Sequence, residues 1–361
     1  MKKDGSVWAA GGNNLGQFGM DSKLFPMMTN FVEIMSDGIT SVAAGSGHSI
    51  VVKRDGSAWA TGRNTFGQLG DGSTAGSDSF VKVIAINAKA VTAGAQHSLV
   101  VMRDGSVWAT GFNQYGQLGD GSIHQRSSFV KVIHNRAETV AAGSEHSIVL
   151  KRDGSVWTTG SNVLGQLGDG SSGRRSTFKQ VASGGVKAIA AGSHHSLLLT
   201  RDGGVWVTGE NNCGQLGDGT TIARKVFLQV FANDVEAISA GHFHSLVLKQ
   251  EGSVWATGMN DSGQLGAGTI TSSNIFVRVI SSGVRAVAAG DLHSMAMLHD
   301  GSLLGSGANE YGQLGDGSTI SKNTFSSEGS SNNGIYYTRV IDFGNKLVFT
   351  SSQNYFSARY R

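Results

Sequence analysis

Little in this chain can cross-link or stiffen it. It holds one cysteine, Cys213, and one proline, Pro26, in 361 residues. A lone cysteine excludes an intrachain disulfide, so packing and hydrogen bonds must carry the fold. Charged side chains make up only 15% of the sequence and the net charge is +3. That balance does not by itself point to a nucleic-acid surface. No apolar run approaches the length of a membrane-spanning helix. The opening Met1-Lys2-Lys3-Asp4-Gly5 carries no apolar secretory segment. An intracellular protein, cytoplasmic or nuclear, is therefore expected.

What the chain has in abundance is glycine, 53 residues, and it is placed periodically. Acidic-Gly pairs begin at Asp4, Asp55, Asp104, Asp153, Asp202, Glu251 and Asp300. The first interval is 51 residues (55 minus 4) and the next five are 49. A period of this length marks supersecondary units that share a continuous core, as the blades of a propeller do. The repeat overrides the two-domain expectation that length alone would suggest.

The unit from His146 to Asn162 shows the local logic. Ser147-Ile148-Val149-Leu150 reads as a short apolar strand and Ser155-Val156-Trp157-Thr158-Thr159 as its partner. Asp153-Gly154 between them predicts a hairpin whose turn needs positive φ. Tryptophan recurs at 8, 59, 108, 157, 206 and 255, with Leu304 in the seventh unit. One register in every unit suits a packing wedge between neighbours better than a ligand platform. Gly-Gln-Leu-Gly blocks start at Gly67, Gly116, Gly165, Gly214, Gly263 and Gly312, with Gly16-Gln17-Phe18-Gly19 ahead of them. Their glycines allow tight bends, and the glutamine can satisfy backbone groups there. No Gly-Lys-Ser/Thr follows, which weighs against a phosphate cradle. A phenylalanine ends each variable segment, at 31, 80, 129, 178, 227, 276 and 325. It usually leads into an alternating strand such as Val81-Lys82-Val83-Ile84, so each complete unit supplies about four short strands.

These residues offer no reaction centre. Histidines at 48, 97, 146, 195, 244 and 293 lie on separate units, too dispersed to meet at one metal ion. Each is followed by serine or precedes one, but adjacent strand residues point to opposite faces, so no His addresses its own Ser. Asp71, Asp120, Asp169, Asp218 and Asp316 lack the alternating carboxylates of a calcium loop. No catalytic residue, cofactor or metal is assigned.

Ala-Gly-x-x-His-Ser, an apolar strand, Asp-Gly, Trp, Gly-x-Asn and Gly-Gln-Leu-Gly together resemble the regulator of chromosome condensation repeat family, over about residues 1 to 325. The resemblance implies an all-β fold, a seven-bladed β-propeller of four-stranded blades. The chain enters in mid-unit, without an Ala-Gly-x-x-His-Ser half before Asp4. A polar linker, 326–334, and a divergent tail, 335–361, follow the repeats. Arg339 to Phe349 loosely echoes the missing half, so the tail is expected to complete blade one, close the ring and cover its open edges.

Function is sought where the units differ. Units three to five place Arg126, Arg174, Arg175, Arg224 and Lys225 in equivalent loops. These residues are expected to form a basic arc that binds a partner. The expected role is a non-enzymatic, monomeric scaffold for a protein partner, an acidic segment or a small GTPase. Nucleic acid is not favoured, since no aromatic residues interleave the arc. The family resemblance implies an alternative: guanine-nucleotide exchange on a small GTPase with chromatin association. Its exchange factors use a projecting wedge, and units of nearly fixed length leave no obvious insertion for one. The family also contains a plant ultraviolet-B photoreceptor built on clustered tryptophans. Here the residue pairs before His-Ser, from Ser46-Gly47 to Asp291-Leu292, contain no tryptophan.

Overall fold

Alternating apolar strands, broken at fixed glycines, form only β-structure in the computed structural model, which describes residues 1–2 and 4–327. The first sheet has two strands, β1 (Val7–Gly12) and β2 (Met27–Met35). The second has four: β3 (Ile39–Ala44), β4 (His48–Lys53), β5 (Ala58–Gly62) and β6 (Ser77–Ile84). Each pairs antiparallel with the next. Five further four-stranded sheets repeat this order through Ser327. The first strands of successive sheets touch one another, which puts them nearest the common axis and the fourth strands on the rim.

The hairpin after β4 shows how the sequence makes the turn. Gly56 has φ +81° and its N–H donates to Lys53 O at 2.9 Å. Asp55 does not share the positive φ expected of an Asp-Gly pair. Its Oδ1 instead accepts from Ser57 N at 2.8 Å and Ser57 Oγ at 2.7 Å. Trp59 Nε1 then donates to Ser57 Oγ at 2.9 Å. The Asp-Gly-Ser-x-Trp motif is thus one hydrogen-bonded device: glycine bends, aspartate holds the serine, serine orients the indole. Trp59 packs into the core shared by the first and second sheets, beside Val7, Ala9 and Val42. The Lys53 ammonium lies 4.5 Å from its ring centre. The packing role expected for the tryptophans is what the structure shows.

Neighbouring sheets interlock through the phenylalanines. A Cβ on Gly70 would collide with the Phe129 ring of the following sheet. The same seat joins Gly119 to Phe178, Gly168 to Phe227, Gly217 to Phe276, Gly266 to Phe325 and Gly19 to Phe80. Phe31 of the first sheet rests on Gly315 of the seventh. Gly317 N also donates to Thr29 O at 2.8 Å, and Trp8 and Phe31 pack on Met295, Met297 and Leu314. The first sheet therefore contacts both the second and the seventh. The expected tail, 335–361, and its pairing with the first sheet lie outside the described residues.

Candidate interaction surfaces

The repeated histidines are consumed at the sheet interfaces. His48 is fully buried, and its Nε2 lies 2.8 Å from Ser98 Oγ of the next sheet. Ser98 Oγ donates to Gln68 O at 2.8 Å. The hydroxyl has one proton and spends it there, so His48 donates through Nε2–H. The pattern recurs from His97 to Ser147, His146 to Ser196, His195 to Ser245 and His244 to Ser294. Each of these five histidines addresses the serine one unit on, not its own neighbour. Burial without counter-charge pushes the His48 pKa down to about 4. Burial does the same to His244, to about 3, helped by His293 and His242 nearby. Among the described residues no group of His, Cys, Asp and Glu is set to hold a metal ion, and no helix is long and apolar enough to cross a membrane.

The asparagine of Gly-x-Asn organises the long loop between third and fourth strands. Asn64 Oδ1 accepts from Leu69 N at 3.0 Å. Its Nδ2 donates to Asp71 Oδ1 at 3.1 Å and Ala75 O at 2.9 Å. Sequence reasoning assigned this residue no role. Gln68 Oε1 accepts from Phe66 N at 2.9 Å, the backbone service expected of the glutamine. Leu69 is fully buried beneath the loop.

The proposed basic arc sits where these loops run into the fourth strands: Arg174 is in a loop, while Arg126, Arg175, Arg224 and Lys225 are in the first residues of those strands. The five residues divide into two kinds. Arg126 Nη2 lies 2.7 Å from Asp120 Oδ2, and Arg224 Nη2 lies 2.6 Å from Asp218 Oδ2. Arg175 clasps the buried Asp169 carboxylate in the same way, and Lys322 clasps Asp316 in the seventh sheet. In the sixth, Ala267 and Ser273 stand at these two positions, neutral together. Serine bonds and the Arg175 guanidinium hold Asp169 well below the usual carboxylate range against the opposing pull of its desolvation. Asp316, opposed by desolvation but bonded to Lys322 and Ser318, falls to about 2. The other two arc residues point outward. Arg174 is exposed, its Nη1 donating to Gln114 O at 2.9 Å across the interface with the preceding sheet. Lys225 is exposed, its backbone against Gly165 of the preceding sheet.

The same end of the molecule bears the short turns between first and second strands. Backbone bonds tie these turns to the long loops: Phe112 N to Gln96 O at 2.9 Å, Ser161 N to Glu145 O at 2.8 Å and Glu210 N to His194 O at 2.8 Å. Burial raises the pKa values of Glu145 and Glu210 above the usual carboxylate range. Burial, with Glu210 and Asp261 nearby, also raises that of Cys213. A polar cleft of about 540 Å³ lies between the sixth and seventh sheets, lined by Asp261, Ile270, Glu310, Lys322 and Thr324. The opposite end carries the Asp-Gly turns, with Arg54, Arg103, Arg152 and Arg201 at their exposed tips.

Residues 1–269 match the RCC1-like domain, and residues 251–297 and 284–313 match the regulator of chromosome condensation (RCC1) repeat. No curated protein sequence matches the chain. Among solved structures, human WBSCR16 superposes with a TM-score of 0.80 at 22% identity, covering 90% of this chain and 93% of its own. Yeast RCC1 (Prp20), solved bound to Kap60, gives 0.80 at 19% identity, with coverages of 92% and 85%. Prp20p from Saccharomyces cerevisiae, described with its binding properties to Gsp1p and histones, gives 0.77 at 20% identity, with coverages of 90% and 86%. At these identities the superpositions establish the propeller fold and leave activity open. On the extent of the domain match, the chain belongs to the RCC1-like domain family.

Proposed function

We propose that the protein is a non-catalytic propeller scaffold that binds a protein partner through the end bearing the long loops. One observation carries this reading: most of the side chains that the repeat supplies for chemistry are spent on the architecture. Histidines join sheets, aspartates hold turns and loops, and three arc arginines neutralise their own aspartates. What remains outward and differs between units lies mainly in the loops and the first residues of the fourth strands, where Arg174 and Lys225 offer unneutralised charge. Charges of this kind speed encounter with an acidic partner surface, while neighbouring loop residues set specificity. Residence inside the cell is part of this reading.

The test separates the two kinds of arginine. Replacing Arg174→Ser with Lys225→Ser should slow association with a captured partner by about tenfold at low salt and leave the thermal midpoint unchanged. Unchanged association at low salt removes the arc from the function. The second reading, exchange on a small GTPase, draws support from family membership and from the structural likeness to Prp20p. Release of fluorescent GDP from a panel of small GTPases distinguishes it: catalytic release would put exchange first.

A further inference from the structure

Three aromatic side chains lie together at the long-loop end in a way the repeat does not demand. Phe66 rests on Phe112 with ring centres 4.9 Å apart, and Phe112 meets Tyr115 at 6.0 Å. Arg63 lies 5.9 Å from the Phe66 ring centre. All three rings are partly exposed. The positions equivalent to Phe112 and Tyr115 hold Ser161 and Leu164 in the next unit, then Glu210 and Cys213, then Met259 and Ser262. A blade closes without aromatics at these sites, so this ladder is not required by the fold.

The turns beside the ladder lead to two carboxylates that lack a cation. Ala95 N donates to Gly143 O at 3.4 Å, and Ser144 N to Ser193 O at 3.1 Å. These bonds carry the rim from Phe112 and Gln96, through Glu145, to His194 and Glu210. Glu145 is half-buried and bonds to Ser161. Glu210 is only 8% exposed; its Oε1 accepts from Asn212 Nδ2 at 3.3 Å, and its Oε2 has no hydrogen-bond partner among the described residues. Asp120, Asp169, Asp218 and Asp316 have basic partners. Asp71, which has none among the described residues, is bonded to Asn64 and Ser73. By contrast, no ion pair to a described residue engages Glu145 or Glu210, and Glu210 Oε2 has no hydrogen bond to one either. A desolvated carboxylate oxygen without a donor is costly. Glu210 Oε2 is itself shut from solvent, so an incoming cation would relieve the charge from the residue's small exposed edge.

We propose that the aromatic ladder Phe66–Phe112–Tyr115 and the carboxylates Glu145 and Glu210 form a docking site for a basic polypeptide segment. Its Lys or Arg head completes the carboxylates, and an apolar side chain beside that head seats on the ladder. Burying an aromatic or aliphatic anchor supplies most of the affinity, and the charges set register. The inference rests on the scaffold reading of this end and adds to it a basic segment of the partner, apart from the acidic surface that Arg174 and Lys225 would meet.

The experiment is fluorescence anisotropy on the full chain with a labelled lysine-rich peptide bearing one phenylalanine. The same peptide with serine for phenylalanine, and a glutamate-rich counterpart, are its controls. The phenylalanine peptide should bind most tightly. Glu145→Gln combined with Glu210→Gln should weaken it about tenfold while the thermal midpoint holds or rises, because a neutral amide replaces an unpaired charge. Phe112→Ser should cost the phenylalanine peptide more than the serine peptide. Equal binding of the glutamate-rich peptide, or undiminished binding by the double glutamine variant, overturns the site. Arg174→Ser with Lys225→Ser removes two positive charges from this end and should hold or raise this peptide's affinity, so a failure here is separable from a failure of the wider scaffold reading; weaker binding by that variant would also overturn the site.

Discussion

Gly143 and His146 show what a single repeated residue contributes. A Cβ on Gly143 would strike the His146 imidazole and come within 2.7 Å of Gly192 O in the next sheet. Glycine is needed there for close approach of backbone to ring, so the Ala-Gly-x-x-His-Ser spacing records a packing constraint. The buried imidazole also sets an acid limit. His48 Nδ1 has no hydrogen-bond partner among the described residues, so a second ring proton would be buried without an acceptor. The unfolded chain takes up that proton near pH 6.5, the native protein only near about 4. Stability is therefore full above about pH 6.5 and falls as the pH drops towards about 4. His48 alone should account for a loss on the order of 3 kcal/mol across that window, and His244 should add to it. Urea unfolding at about pH 7 and about pH 4.5 measures the difference; an unchanged midpoint would mean the imidazoles titrate normally. The histidines' structural role was legible because strand alternation aims each away from its own serine. The asparagine's was not, since its four partner residues lie up to 11 residues away and no short-range pattern reveals them.

At the scale of the loop, four sheets match an aspartate to a basic residue six positions on: Asp120 with Arg126, Asp169 with Arg175, Asp218 with Arg224 and Asp316 with Lys322. Asp169 has no exposed side-chain surface. Its Oδ1 accepts from Ser171 N–H and Oγ–H at 2.9 and 2.7 Å and from Asn162 Nδ2 at 3.0 Å, while its Oδ2 meets Arg175 and, at 3.4 Å, Lys179 Nζ. Arg175→Ser should cost roughly 1–3 kcal/mol by leaving a buried carboxylate under-satisfied, whereas Arg174→Ser should cost almost nothing. Chemical denaturation of the two single variants checks the contrast. Equal stability would show that the clasp is ornamental and return Arg175 to the surface charge. Sequence reasoning put all five basic residues in equivalent loops; only Arg174 lies in one, whereas Arg126, Arg175, Arg224 and Lys225 open the fourth strands that follow. It did not separate clasped from outward ones, because Arg174 and Arg175 are neighbours in sequence whose side chains take different partners. The hairpins were legible to the residue, except that aspartate serves as acceptor and leaves the positive φ to glycine.

Over the whole molecule, the count of seven units was readable from period alone, since no sheet of this kind can bury both faces by itself. Joining the first sheet to the seventh was not, because the Phe31–Gly315 seat links opposite ends of the repeat region. The first sheet has only β1 and β2 among the described residues, while the others have four strands. We propose that residues 335–361 supply the strands that extend it. Deleting them should lower the thermal midpoint by several degrees and promote self-association through the uncovered β1 edge. Calorimetry with light scattering tests this; a monomeric, equally heat-stable deletion would refute it.

The phenylalanine seats carry one more consequence. From Gly70 to Phe129 and from Gly266 to Phe325 the separation is the same, 59 residues (129 minus 70, 325 minus 266). Excising one 49-residue period between such points would bring an equivalent phenylalanine to each remaining glycine. Genetic loss or gain of a unit would thus be silent to nearest neighbours and felt only as a change in the angle that each wedge must subtend.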